Sequence, residues 1–241
     1  MPIPLAVFIP ARCGSKRVPL KNIKPLAGRP LIHYTISAAI EAGLTEAVFV
    51  STDCEEIAGV AVKCGAEVVM RPEQYARDES STEDAMLDFI EQLGAQDQRP
   101  EWVMTLPPTS PLRTADTIVR AWKLALETPD EVDCLFSVHP TREDFWVGDT
   151  PGSIARLFPE APRRQQDRKP LWVENSCIYL TRTAALVRTG FILGEKHSGF
   201  EISVEEGFDI NSEADFIIAE QLFKNLAKET PKKTTSFQKM I

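Results

Sequence analysis

The sequence predicts an α/β fold built on a mainly parallel, doubly wound sheet. Short apolar runs rich in β-branched residues alternate with amphipathic stretches up to about residue 138. Glycines follow two of the amphipathic stretches, at Gly43 and Gly65, where helices commonly end. Strands separated by helices pair in parallel through right-handed crossovers, so this order of elements favours a Rossmann-like sheet.

Five strands and four helices are predicted in this part of the chain. The strands are Leu5 to Ile9, Ala47 to Ser51, Glu67 to Met70, Trp102 to Leu106 and Val132 to Val138. The helices are Pro30 to Ala42, Glu55 to Lys63, Thr82 to Leu93 and Ala115 to Leu126. Ligands of such sheets bind beyond the carboxyl ends of the strands, so we expect the loops that follow the strands to converge.

The alternation stops at residues 139–171, which are rich in proline and arginine and contain Phe145, Trp146 and Phe158. We interpret this segment as an insertion that forms a hairpin or arm with little core of its own. A strand resumes at Ser176 to Leu180, and a last helix spans about Ser212 to Lys228. Residues 1–138 and 172–228 then form one α/β domain, and residues 229–241, rich in Lys and Thr, form a flexible tail.

The charge distribution points to a small anionic ligand. The net charge is −8 and the pI is about 5.1, which argues against nucleic acid or an anionic membrane as the main partner. The first forty residues nevertheless carry six cations and no acid, and the first carboxylate is Glu41. A local positive charge in an acidic protein indicates a bound anion.

The other composition signals are less specific. None of the five cysteines has the spacing of a zinc pair, and we interpret them as reduced thiols of a cytosolic protein. The apolar stretch near the start is too short for a signal peptide, and no segment reaches membrane length. The three histidines suggest no catalytic or metal group. We therefore expect a cytoplasmic protein.

The loop after the first strand combines cations with small residues, and it is typical of a phosphate site. Backbone N–H groups at small residues can approach a triphosphate closely, and the cations neutralise its charge. The spacing is neither that of a Walker A loop nor that of a dinucleotide fingerprint; the alternative is a solvated basic turn. The candidate catalytic cations are Arg12, Lys16 and Lys21, and the candidate nucleotide contacts are Gly14, Ser15 and Asn22.

Two further loops carry hydroxyl groups. Arg71 and the segment Ser80 to Thr82 follow the third strand, and their short polar side chains suit a pyrimidine edge, which offers one amino donor and two acceptors. The alternative is a helix N-cap, with Thr82 as the capping residue. Pro107 to Arg113 follow the fourth strand, with hydroxyls at Thr109 and Ser110; the alternative there is a rigid turn.

The last two motifs suit a carboxylate and a metal ion. Paired arginines at Arg163 and Arg164 are typical of a carboxylate clamp, although a solvated face gives the same pattern. Asp209 and Asn211 lie on one side of an extended segment. Their oxygens could hold Mg²⁺ or Mn²⁺ together with substrate phosphates, and the alternative is the approach to a helix N-cap.

The order of these motifs resembles the acylneuraminate cytidylyltransferases, which make CMP-sialic acid and its legionaminic and pseudaminic relatives. The resemblance runs from about Ile3 to Glu220. It rests on the first loop from Ala11 to Asn22, on the later loops just described, and on Glu174 and Asn175. The family uses a nucleotidyltransferase fold resembling that of the GT-A glycosyltransferases.

The resemblance implies transfer of CMP from CTP to the 2-hydroxyl of a nine-carbon 2-keto sugar acid, with release of pyrophosphate and with Mg²⁺. It also implies a homodimer whose arm reaches into the partner's site. Arg12, Lys16 and Lys21 then hold the β- and γ-phosphates, and Asn22 helps at the ribose or a phosphate. Arg71, Ser80 and Thr82 take the cytosine-reading positions, with Ser81 as a further nucleotide contact. The residues expected near the sugar acid are Thr109, Ser110, Arg142, Arg164, Gln165 and Asn175, and those expected at the metal are Asp209 and Asn211.

Two departures from the family pattern keep alternatives open. Pro107 replaces a glutamine that contacts the sugar, and Asn211 replaces the second aspartate of an Asp-x-Asp pair. The alternatives are a Kdo or pseudaminic acid cytidylyltransferase and a nucleotide-binding homologue without catalysis. Glu174 and Asn175 replace the His-Asp pair of the pseudaminic branch, which favours the sialic or legionaminic branch.

Overall fold

The helices and strands of the chain are defined by a computed structural model that describes residues 3–14, 17–75 and 80–229, with side chains up to residue 225. The strands are β1 (Ile3–Pro10), β2 (Pro25–Leu26), β3 (Arg29–Pro30), β4 (Val48–Thr52), β5 (Glu67–Met70), β6 (Pro100–Thr105), β7 (Cys134–Thr141), β8 (Trp146–Thr150), β9 (Ser153–Arg156), β10 (Leu171–Arg182) and β11 (His197–Glu201). The helices are α1 (Leu31–Ala42), α2 (Glu55–Lys63), α3 (Thr82–Gly94), α4 (Ala115–Glu127), α5 (Thr183–Thr189) and α6 (Glu213–Glu229).

A seven-stranded sheet in the order β11-β7-β10-β6-β1-β4-β5 forms the centre of the structure. All neighbouring strands pair in parallel except β10, which runs antiparallel to β6 and β7. The predicted mainly parallel α/β fold is therefore confirmed. The first five predicted strands and four predicted helices are all present, with shifts of a few residues at their ends.

Both faces of the sheet are covered, as the doubly wound prediction requires. Leu5, Val7 and Ile9 of β1 belong to the core beneath α1, α2 and α4. The intervening Ala6 and Phe8 point the other way and join the core beneath α3 and α5. Because successive side chains of a strand alternate between faces, a continuous apolar run is what a strand buried on both sides needs.

Three features at the C-terminal side were not predicted. β10 is longer than predicted and runs antiparallel to β6 and β7, and a bulge interrupts its pairing with β7 between Glu174 and Tyr179. Ser176 lies in that bulge with a positive φ of 56°, and its polar neighbours break the apolar pattern. The short helix α5 and the edge strand β11, in which only Phe200 is buried, have too few core residues to give a periodic signal.

The segment predicted as an arm contains the hairpin of β8 and β9. All five residues of β8 are exposed, and the base of the hairpin is held by ion pairs from Asp144 to Arg156 and Arg168. Polar contacts rather than a core therefore hold it together. A role of this hairpin in dimerisation stays a prediction, as does the division of the chain into domains. Of the helices the structure describes, none combines the length and the apolar character that crossing a membrane requires.

Asp133 joins the start of β7 to the loop before β11. Its carboxylate accepts hydrogen bonds from the amides of Glu195 at 2.9 Å and Lys196 at 3.2 Å, and it pairs with Arg188 at 2.9 Å. Gly194 packs against it with φ +62°, and a Cβ there would lie 2.4 Å from the Cβ of Asp133. Burial alone would raise the pKa of Asp133, but these donors outweigh burial, so the pKa lies below its usual value.

We expect Asp133→Asn to lower the free energy of unfolding by about 2 kcal/mol near neutral pH, because the charged hydrogen bond to Arg188 is lost. The pKa is depressed in the folded state, so the stabilisation is complete above the unfolded pKa of about 4 and is lost as the pH falls through the folded pKa. Urea unfolding should show the difference shrinking below about pH 4. A difference independent of pH would contradict this, and the exposed Asp130→Asn is the control, with little effect expected.

Candidate active site

The loops that follow β1, β4, β5 and β6 meet at the carboxyl edge of the sheet and are tied together by backbone hydrogen bonds. The amide of Ala11 donates to the carbonyl of Ser51 at 2.9 Å, and the amide of Arg71 donates to the carbonyl of Thr52 at 2.8 Å. The segment before α6 joins them, since the amide of Ile210 donates to the carbonyl of Thr109 at 2.8 Å. The convergence expected from the strand order is therefore present.

These loops enclose a cleft of about 650 Å³. Most of the candidate nucleotide and phosphate residues line it, although they come from separate parts of the chain. The residues that line the cleft are Pro10, Arg12, Arg17, Val18, Lys21, Asn22, Arg71, Ser80, Ser81, Thr82, Pro107, Pro108, Thr109 and Asn211.

The cleft is strongly electropositive. Among its described lining residues, Arg12, Arg17, Lys21 and Arg71 are cationic and none is acidic, in a chain of net charge −8. Burial is the largest cause lowering the pKa of Lys21, and the charges of Arg17 and Arg12 lower it further, against Asp209 and Asp215, which raise it. Cations held this close repel one another, so an anion bound among them is strongly favoured.

Lys21 and Asn22 are fixed by hydrogen bonds from their side chains to backbone carbonyls. The Lys21 Nζ donates to the carbonyl of Ile210 at 2.8 Å, which places its ammonium between the first loop and the segment before α6. The buried Asn22 donates through Nδ2 to the carbonyl of Arg12 at 3.1 Å. The side chains of the turn at Lys21–Ile23 thus set the path of the loop that carries Arg12.

Arg71 is buried at the wall of the cleft. Its Nε donates to Ser51 Oγ at 3.2 Å and its Nη2 to the carbonyl of Ser51 at 3.1 Å. Burial is the main cause that lowers the pKa of Arg71, opposed by the charges of Asp53 and Asp88. Because Arg71 also lines the cleft, these bonds hold its guanidinium there in a fixed orientation.

The three hydroxyl residues Ser80 to Thr82, at the start of α3, have a partly structural role. Ser81, rather than Thr82, is the N-cap: its Oγ accepts from the amide of Asp84 at 3.0 Å, and the Asp84 carboxylate accepts from the amide of Ser81 at 2.9 Å. The prediction of Thr82 as the cap was wrong by one residue, because the capping box with Asp84 fixes the helix start at Ser81. Ser80 donates to the carbonyl of Gln74 at 3.1 Å, and all three hydroxyl residues line the cleft.

The loop after β6 is held by hydrogen bonds from the buried side chain of Arg113, which is only 3% exposed. Its guanidinium donates to the carbonyls of Pro107 at 2.8 Å and Cys177 at 3.1 Å and to Thr35 Oγ1 at 3.3 Å. Thr109 lines the cleft, whereas Ser110 is fully buried beneath the loop and does not line it.

Asp209 and Asn211 are neighbours in space, as predicted. The Nδ2 of Asn211 donates to Asp209 Oδ2 at 2.5 Å, and Asn211 lines the cleft. Asp215 is engaged elsewhere, because its Oδ2 accepts from the amides of Asn211 and Ser212. Across the part of the chain that the structure describes, no three or more His, Cys, Asp or Glu side chains cluster as a metal site.

The other predicted residues lie outside the cleft or outside the described chain. Arg142 bridges the carbonyls of Gln166 and Arg168 at the base of the arm, at 2.8 Å each. Arg164 and Gln165 are exposed nearby. Gly14 is exposed and is not among the lining residues. Ser15 and Lys16 are outside the described residues.

Asn175 is buried within β10 and does not line the cleft. Its Oδ1 accepts from Ser137 Oγ at 2.6 Å and from the amide of Cys177 at 3.2 Å, so it stabilises the bulge. Its Nδ2 has no hydrogen-bond partner among the described residues and lies against Gly207.

Arg17 and Arg113 were not chosen as site residues from the sequence. Arg17 stands in the first loop beside the cations that were chosen, so its charge was a usable signal. Arg113 ends the proline-rich loop, but a buried arginine with backbone acceptors has no signature in the sequence.

Comparison with known proteins gives a consistent result. A sequence model of the family described as Cytidylyltransferase matches residues 6–145. N-acylneuraminate cytidylyltransferase A of Danio rerio is 34% identical over 222 residues, covering 90% of this chain and 50% of the relative. The chain thus spans about half the length of that relative. CMP-N,N'-diacetyllegionaminic acid synthase of Legionella pneumophila is 33% identical over 231 residues, covering 91% of this chain and 96% of the relative.

The fold is also found among solved structures. CMP:2-keto-3-deoxy-manno-octonic acid synthetase complexed with CTP matches with a TM-score of 0.67 at 16% identity, covering 92% of this chain and 99% of that one. At this identity the match supports the architecture of the sheet and its helices.

Proposed function

Because this chain belongs to the cytidylyltransferase family, we propose that it transfers CMP from CTP to the 2-hydroxyl of a sialic- or legionaminic-type sugar acid and releases pyrophosphate. One observation carries the proposal. Four cations and three hydroxyl residues, drawn from the loops after β1 and β5, line a single cleft whose described walls carry no acid. Such a cleft suits a nucleoside triphosphate, with the polyphosphate on the cations and the base on the hydroxyls.

The first loop holds the phosphates in this proposal. Arg12, Arg17 and Lys21 neutralise the β- and γ-phosphates, and Lys16 and the backbone at Gly14 and Ser15 are proposed to add to the same site. As the 2-hydroxyl attacks the α-phosphorus, the bond to the β-phosphate oxygen breaks and negative charge grows on the departing pyrophosphate. Fixed cations at that position stabilise the transition state more than the ground state.

The second loop reads the base. Arg71 is oriented by Ser51, and the hydroxyls of Ser80 and Thr82 lie on the same wall of the cleft. Ser81 contributes less by its side chain, since its Oγ already accepts from Asp84. Cytosine and uracil differ in the donor at position 4, so acceptors here would select CTP over UTP.

Asp209 and Asn211 fit a divalent cation only together with substrate phosphates. They supply one carboxylate and one amide carbonyl oxygen, since the Asn211 nitrogen donates to Asp209; Asn211 lines the cleft and Asp209 lies beside it. Mg²⁺ usually keeps several waters and takes one or two carboxylates plus substrate phosphates, so this donor set suits it. When bound, the ion would supply additional positive charge at the triphosphate.

The sugar acid is proposed to lie beside Thr109, with help from a second copy of the chain. Arg142, Arg164 and Gln165 lie at the base of the arm and outside the cleft, which supports a contribution in trans. The arm exposes large apolar side chains, with Trp146 50% and Phe158 45% accessible, a surface typical of an interface. Ser110 and Asn175 are buried, so we propose that they support the walls of the sugar site.

The decisive experiment is an acceptor panel. Purified protein is incubated with CTP, Mg²⁺ and, separately, sialic, legionaminic, pseudaminic and Kdo acids, and pyrophosphate release is measured. We expect the highest kcat/KM with a sialic- or legionaminic-type acid. Preference for Kdo or pseudaminic acid would replace the acceptor in the proposal. CTP binding by calorimetry without turnover on any acid, even with Mn²⁺, would identify a non-catalytic homologue instead.

The metal assignment has its own prediction, for Asn211→Asp. The variant places a second carboxylate beside Asp209, and two like charges at hydrogen-bond distance destabilise the fold until a cation bridges them. We expect a lower Tm than wild type without Mg²⁺, a larger Tm increase on adding Mg²⁺ and CTP, and half-maximal activity at about tenfold less Mg²⁺. Asn225→Asp, on the exposed face of α6, is the control. An unchanged Mg²⁺ response would place the cation elsewhere.

A further inference from the structure

We propose that Cys13 and Cys54 form an oxidation site: a thiol pair that a small disulfide converts to a protein disulfide, with loss of turnover at the adjoining cleft. Both cysteines are partly exposed, whereas Cys134 and Cys177 are buried. No spacing rule pairs these cysteines in the sequence, and the fold brings them together. The regulatory part of this inference rests on the proposed function, and the disulfide itself does not.

The geometry follows from the pairing of β1 and β4. Paired residues such as Pro10 and Ser51 are separated by 41 positions, and the same offset separates Cys13 from Cys54. The two chains stay side by side beyond the last paired residues, because the amide of Cys13 donates to Asp53 Oδ1 at 2.8 Å. Neighbouring strands lie about 4.8 Å apart, which is within the Cα separation that a disulfide spans.

The side chain of Cys54 also acts on the thiol of Cys13. A hydrogen bond to Cys54 is the largest cause that raises the pKa of Cys13 to about 11, followed by burial and by the charges of Cys54 and Asp53. These causes favour the protonated form of the Cys13 thiol, so we propose that the exchange begins at its partner Cys54.

The oxidation is a balanced thiol–disulfide exchange. The deprotonated sulfur of Cys54 attacks one sulfur of the small disulfide and releases one small thiol. Cys13 then gives its proton to solvent, and its sulfur attacks Cys54 in the mixed disulfide and releases the second small thiol. Two protein thiols lose two electrons in total, and the small disulfide gains them.

The site acts on the cleft through the chain that carries Cys13. Its neighbour Arg12 lines the cleft, and the carbonyl of Arg12 holds Asn22. An S–S bond of about 2.05 Å is far shorter than a thiol hydrogen bond, so closing it pulls the loop toward the start of α2. A displacement of about 1 Å at a catalytic cation is enough to cost about a hundredfold in rate.

The test exposes the full chain to oxidised glutathione, blocks free thiols by alkylation and maps the peptides without reduction. We expect a Cys13–Cys54 cross-link, a fall in pyrophosphate release of at least about tenfold, and recovery with dithiothreitol. Cys54→Ser should keep its activity under oxidation. Cys64→Ser, which removes a partly exposed cysteine at the other end of α2, should respond as wild type does.

Three results would overturn the inference: absence of the cross-link, glutathione retained on either cysteine as the end product, or a cross-linked protein with undiminished turnover. If the reduced protein showed no turnover with any acceptor, the proposed function would fail, while the peptide map would still decide whether the disulfide forms.

Discussion

Lys21→Met is expected to lower kcat/KM for CTP by about a hundredfold or more, because a fixed cation facing the developing charge of the leaving pyrophosphate is lost. Methionine keeps most of the stem of the side chain. What disappears is the ammonium that donates to the carbonyl of Ile210 at 2.8 Å and faces the cleft. The fall should be mainly in kcat, since the contact strengthens as the reaction proceeds.

The measurement is steady-state pyrophosphate release, together with CTP binding by calorimetry. Lys123→Met is the matched control, because Lys123 is exposed on α4 and outside the cleft; it should leave both quantities unchanged. If the variant kept the wild-type kcat and only its KM rose, Lys21 would bind CTP equally in the ground state and the transition state, and its proposed catalytic role would be wrong. A variant indistinguishable from wild type would remove Lys21 from the proposed site.

Arg113→Met is expected to lower the free energy of unfolding by about 3 kcal/mol or more, because the carbonyls of Pro107 and Cys177 lose their buried donor. Arg113→Lys should recover only part of this loss, since one ammonium cannot reproduce the fork that reaches both carbonyls and Thr35. Activity at temperatures where the variants stay folded should also fall, because the loop lines the cleft.

Urea unfolding measures the first effect, with Arg120→Met as the control on the exposed face of α4. If Arg113→Met were as stable as wild type, the loop would be held by its prolines alone. If Arg113→Lys were as stable as wild type, charge rather than the fork geometry would be what matters at this position.

The N-terminal half of the fold could be predicted because its strands are apolar on both faces. The run from Leu5 to Ile9 contributes to both cores. Such a run fits a strand in the middle of the sheet, because only there are both of its faces buried. β10 was less predictable, because Glu174 and Asn175 interrupt the apolar pattern that would have marked it as a strand. Its antiparallel direction depends on pairing with β6 and β7, which are distant in the sequence.

The residues of the candidate site also differ in whether the sequence predicts their position. Side chains that follow strand ends, such as Arg12 and Arg71, could be placed at one edge from strand order alone, and both line the cleft. Asn175 could not be placed, because its burial beside Ser137 follows from a bulge that no sequence rule specifies. The family resemblance is confirmed by the matching family model and by the relatives, and the acceptor and the dimer stay predictions.

The position of β10 between β6 and β7 has a consequence for biosynthesis. On the ribosome, β1 and β6 can associate as soon as residues 100–105 emerge, but the free side of β6 waits for residues 171–182. Until then an apolar strand edge stays open to self-association, and contacts of such long sequence separation make folding slow. We therefore expect chains truncated before Leu171 to aggregate, and chaperone dependence to end only once β10 has been synthesised.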